Sequence, residues 1–138
     1  MKTNIATDRS QSQRLLRCGV SADTAGMCYD SGALSLMDYD SAVHERDSRR
    51  ESYEVIPAWS LSTLLGLIPH VIEVYDDGDY YFSLAQEFPA SEDYHAAYKY
   101  CWADDDAMVG RRSSCPIEAC VQLIEWLIEN NYKLNEIN

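Results

Sequence analysis

The stretch "VIEVYDDGDYYFSLA", residues 71–85, decides the fold class. Two apolar and aromatic runs flank Asp-Asp-Gly, and each alternates with period two: Ile72 and Val74 before the turn, Tyr80, Phe82 and Leu84 after it. That is the pattern of an antiparallel hairpin with one covered face. A three-residue loop, Asp76-Asp77-Gly78, with the glycine left-handed, sets Val74 opposite Tyr80 and Ile72 opposite Phe82. A two-residue Asp77-Gly78 loop would set Glu73 opposite Phe82 and Asp76 opposite Asp79, a like-charge pair, so the longer loop is predicted.

Upstream lies "VIPAWSLSTLLGLIPH", residues 55–70, the most apolar run in the chain. Leu61, Leu64, Leu65 and Ile68 fall on one helical face behind Ser60, a good N-cap, and Trp59 and Leu64 stand at staple positions. Pro57 and Pro69 bracket the helix at about nine residues where a membrane span needs about twenty, so it is a short core helix. Downstream, Tyr94, Ala96, Tyr98, Tyr100 and Trp102 alternate with His95, Ala97, Lys99 and Cys101, which predicts a third strand over 94–102. "ADDDAMVGRRSS" follows as a polar loop. The last helix starts near Pro116. Its stripe of Ile117, Cys120, Val121, Ile124, Leu127 and Ile128 lies opposite Glu118, Gln122, Glu125 and Glu129, and Asn130 and Asn131 end it.

At the other end of the chain, Asp8 with Gln11 three residues on opens a helix that runs to Cys18. Gly19 stops it and Val20 is set against Leu15. Residues 31–54, rich in Ser, Asp and Arg, show no sustained periodicity and read as a long polar loop in which His44, Glu45 and Asp47 form no site pattern. The expectation is one α+β domain, 1–138. A small three-stranded antiparallel sheet is packed on one face by the long C-terminal helix, with a short central helix and an N-terminal helix.

The net charge is -12, from 11 basic and 23 acidic residues, and it is unevenly placed. Residues 1–54 hold 7 basic and 9 acidic side chains, and residues 55–138 hold 4 and 14. Such a surface repels phosphate and anionic lipid, so neither direct nucleic-acid binding nor membrane binding is expected. Cys18, Cys28, Cys101, Cys115 and Cys120 form an odd set without a CxxC pair, and "MKTNIATDRSQ" lacks an apolar leader core. Both features predict a cytoplasmic protein with reduced thiols.

Chemistry-bearing residues are sparse. Asp76, Asp77 and Asp79 with Asp104, Asp105 and Asp106 would meet at one sheet end if their strands were neighbours, and would suit a hard cation. Aspartate in a turn needs no ligand to explain it. Cys115, just before a helix, is the best nucleophile candidate, but no pattern brings His70 or His95 to it as a base. No phosphate loop, GxSxG elbow or HExxH helix is present, so no catalytic residue and no cofactor is assigned. Six of the ten tyrosines lie between Tyr75 and Tyr100. Tyr75 and Tyr81 point away from the Ile72 face, and together with Trp59 they are the predicted partner-binding residues.

Three stretches, "LLRCGVSADTAGMCYD" (15–30), "IPAWSLSTLLGLIP" (56–69) and "CPIEACVQLIEWLIENNYKL" (115–134), resemble a group of small uncharacterised proteins of gut Bacteroidales genomes, found in prophage and other mobile-element settings. The matching positions cover about half the chain and are packing residues. Gly26 and Cys115 depart from the group, where a polar residue and a better cap are expected. The resemblance implies a bacterial, phage-like accessory protein and carries no activity with it. The leading functional expectation is a non-enzymatic module that binds another protein. The alternatives are an acidic mimic of nucleic acid that occupies a DNA-binding protein, and a small metal-dependent enzyme built on the turn aspartates.

Overall fold

The structure, a computed structural model, describes residues 5–74, 78–100 and 107–136, and for Ala107 the backbone alone. The protein is α+β, with four α-helices and two antiparallel sheets among the described residues. The chain divides into two compact units, Met1–Leu64 and Leu65–Asn138, where the sequence reading has one domain.

The first unit opens with α1 (Arg9–Cys18), whose two ends are set by local chemistry. The Asp8 carboxylate accepts from the Gln11 N–H at 2.8 Å, and the Gln11 side chain accepts from the Asp8 N–H at 2.9 Å. The capping box is thus complete. At the far end Gly19 takes φ +108° and the Val20 N–H donates to the Leu15 carbonyl at 3.0 Å. Both side chains of that pair are buried. A 3-10 turn (Ala22–Thr24) leads into β1 (Met27–Asp30), β2 (Ala33–Ser35), α2 (Tyr39–Ser48) and β3 (Val55–Ala58). The sheet order is β2-β1-β3.

Alternation along β1 builds two small cores, one on each face. Met27 joins Ala6 and Ala58, with Tyr29 against them. Cys28 points the other way and joins Ala42 of α2 and Val55, flanked by Tyr39, Val43 and Tyr53. Pro57 is tolerated because β3 is an edge strand, where a missing donor costs no ladder bond. Thr7 ties the start of α1 to β3: its hydroxyl meets Ser12 at 2.8 Å and accepts from the Trp59 N–H at 3.1 Å.

The polar-loop expectation for 31–54 is corrected here, since that segment holds both β2 and α2. α2 escapes periodicity analysis because it buries only Ala42 fully, which leaves no apolar stripe to see. Its start is a cap, with the Ser41 N–H donating to Asp38 at 2.8 Å.

The boundary between the units falls inside α3 (Leu61–Leu67), which begins behind Ser60 as expected. The Ser60 hydroxyl accepts from the Thr63 N–H at 3.2 Å, and Trp59 and Leu64 are both sealed from solvent. In the second unit Asn135 closes the helix end. Its N–H donates to the Leu67 carbonyl at 2.8 Å and its side chain to the carbonyls of Gly66 and Ile68. Orphan carbonyls of a last turn are satisfied in this way.

The second unit is a four-stranded sheet, β4 (Val71–Val74), β5 (Gly78–Gln86), β6 (Tyr94–Tyr100) and β7 (Ala107–Ser113), in that order. α4 (Pro116–Glu129) packs on β6 and β7. The expected polar loop after the third strand is therefore corrected to a further strand. β7 was obscured because it is an edge strand ending in Arg111, Arg112 and Ser113, with Val109 buried opposite Tyr98. The three-stranded sheet of the sequence reading becomes four strands.

The hairpin register also differs from expectation. Val74 pairs with Gly78 and Ile72 with Tyr80, a shift of two that keeps every side chain on its predicted face. Gly78 is left-handed as expected, at φ +100°, but it lies in the ladder beneath the Tyr100 ring, where an added Cβ would lie 3.2 Å from Cε2. The Phe82 N–H continues the ladder to the His70 carbonyl at 2.9 Å. This register sets Glu73 opposite Asp79, also a like-charge pair. Both are exposed, and water holds that cost below about 1 kcal/mol. Tilted ring contacts of Tyr80 with Tyr100 and Phe82 with Tyr98, with centroids 5.7 and 5.9 Å apart, outweigh it.

Candidate partner-binding surface

The β1–β2 hairpin turns on Ser31 and Gly32, which take φ +54° and +88°. Two successive positive φ values are the I′ pattern, whose twist matches that of the flanking strands. The closing pair is Asp30 with Ala33, and Tyr29 pairs with Leu34. In a two-residue hairpin the closing pair exchanges hydrogen bonds, so alternation turns the Leu34 N–H and C=O away from β1 to the open edge of the sheet. Among the described residues, β1 is the only strand paired with β2.

Large apolar side chains cluster along that edge. Leu34 and Met37 are each 37% exposed and Leu36 is 84% exposed. Leu34 lies in β2 and Leu36 and Met37 directly follow it. Exposed apolar residues at an open edge are what soluble proteins normally avoid, because the edge invites another strand. Beside them a cleft of about 320 Å³ opens between the hairpin and the end of α2, lined by Asp30, Ala33, Leu34, Ser35, Glu45, Arg49, Glu51 and Tyr53. Arg49 pairs with Glu45 at 2.7 Å along α2. Arg50, at φ +55°, turns the chain so that the Glu51 N–H bonds the Arg46 carbonyl, and Tyr53 packs against Cys28, Ala42 and Val55. Burial is the first cause that raises the Tyr53 phenol pKa, followed by Asp30, Glu51 and Glu45, with Arg49 opposing.

The expected partner-binding residues are distributed differently. Trp59 is fully buried, its indole N–H donating to the Thr24 hydroxyl at 2.9 Å, so its assignment to a docking surface is corrected: it is core. Tyr81 is 42% exposed and pairs with Val71, itself 41% exposed. Tyr75 lies outside the described residues, as do Asp76, Asp77, Asp104, Asp105 and Asp106. Asp79 is exposed, and among the described residues no group of three or more metal-ligating side chains gathers.

Cys115 stands at the N-cap of α4 and is half-buried. Cys120 is buried, and burial first, then the nearby Cys115, pushes its thiol up to about 12, which makes it inert at neutral pH. His44 and His70 are exposed. His95 lies over Gly110, and burial and Arg112 lower its pKa. No helix among the described residues is long and apolar enough to cross a membrane.

Sequence reasoning missed Leu34, Leu36, Met37 and the carboxylates of the cleft. The available signal was Ser-Gly between "MCYD" and "ALS", a turn dipeptide flanked by short strand-like runs. No family model matches the sequence, and no curated protein or solved structure was found to match it.

Proposed function

We propose that this protein is a non-enzymatic interaction module that binds another protein, in keeping with the phage-like accessory role that its sequence resemblance implies. The observation that supports this most is the open edge of β2 with Leu34, Leu36 and Met37 exposed beside it. Exposed apolar surface at an unpaired edge lowers its free energy when a partner covers it, at roughly 25 cal/mol per Å² of apolar area removed from water. Tyr81 and Val71 form a second, smaller apolar pair on the other unit.

The test compares capture by tagged wild-type protein with capture by Leu36→Asp and by Tyr81→Ser, each washed at low and at high salt. Loss of a captured protein with Leu36→Asp alone supports this reading. Capture that ignores both substitutions but vanishes at high salt supports the acidic mimic of nucleic acid instead, since long-range charge attraction is screened.

A further inference from the structure

The cleft beside β2 has a charge balance that indicates which partner fits it. Asp30 belongs to β1, Glu45 to α2 and Glu51 to the turn after α2, so three parts of the chain bring carboxylates to one opening. Against them stands Arg49, which is engaged with Glu45 at 2.7 Å. The opening is negative on balance. Ala33 and Ser35 of β2 form its other wall, and Leu34 between them presents its backbone to the open edge. A strand added there runs about 4.8 Å from β2, with alternate side chains on the face that Ala33 and Ser35 share. Those side chains reach over the cleft. The intervening ones lie on the face of Leu34.

We infer that β2 accepts an extended, lysine- or arginine-bearing segment of a partner protein as an added strand, its cationic side chain entering the cleft between Asp30, Glu45 and Glu51. This rests on the interaction reading above and adds the chemistry of the partner. A second copy of this chain is the wrong occupant. With a net charge of -12, pairing β2 to β2 would bring two sets of these carboxylates together.

Fluorescence anisotropy on the full chain tests it, with a short labelled peptide alternating Val and Lys as the probe. Its comparators are the same peptide N-methylated at either set of alternate residues, which keeps the charge and removes the pairing donors. The expected results are binding of the plain peptide, weakening by about tenfold or more for one methylated form, and weakening by about three- to tenfold in Asp30→Asn and in Glu51→Gln. Glu73→Gln, the same charge change on β4, leaves binding unaltered. Equal binding of both methylated peptides, or equal loss with Glu73→Gln, reduces the effect to diffuse attraction and overturns the inference. So does absence of peptide binding, and so does self-association through β2. If Leu36→Asp still abolishes capture of a partner while the peptide fails to bind, the interaction reading stands and only the basic-strand inference falls.

Discussion

Trp59 has its polar contacts inside the first unit, backbone N–H to the Thr7 hydroxyl, carbonyl from the Thr7 N–H and indole N–H to Thr24, and none of its surface in water. Trp59→Phe deletes the indole bond and leaves a gap, so it is expected to cost roughly 1–3 kcal/mol, read from the urea midpoint at unchanged m-value. His95 supplies a prediction about pH. Burial first, then Arg112 and Lys99, lower its pKa below the ordinary 6.5, with Glu87 opposing. The unfolded chain therefore takes up a proton more readily than the folded one. The stability His95 contributes is present above 6.5 and is lost as pH falls from there through the folded pKa. His95→Gln is expected to flatten the dependence of the urea midpoint between about pH 5 and 7. Gly110→Ala is expected to move the His95 titration upward by NMR, because the added Cβ falls on its ring and forces it off the sheet.

Elements divide by how much of their cause is local. α1 was legible to the residue, since a capping box, Gly19 and the Leu15–Val20 contact all lie within its own sequence. Asp8→Ala is expected to destabilise the protein by about 1 kcal/mol, within a range of roughly 0.5–2, measured by chemical denaturation. α4 was legible for the complementary reason, because its buried stripe repeats at helical spacing over fourteen residues. α2 and β2 were not, since one fully buried alanine and three strand residues give periodicity nothing to repeat. The candidate surface was missed with them. Strand parity alone placed Tyr81 on the face away from Ile72, without saying whether a helix covers it, whereas Leu34, Leu36 and Met37 gain meaning only once β2 is known to end the sheet. With so little burial, α2 is expected to be among the first elements to open. Its amides should exchange faster than those of α4 by hydrogen–deuterium exchange, and faster still in Asp38→Ala, which loses the Ser41 cap.

At the scale of the whole molecule, each of the two units has its own sheet. The first keeps small cores on both faces of a three-stranded sheet, and the second covers β6 and β7 with α4. The tryptophans follow the same division. Trp59 belongs to the first unit and is sealed from water, whereas Trp126 belongs to the second, is half-buried and stacks on Tyr132 with centroids 5.5 Å apart. Once Trp102 is replaced by Phe, each unit carries a native optical reporter. Trp59 emits toward the blue and Trp126 further to the red, and removing one leaves the other to follow its own unit through denaturation without any attached dye.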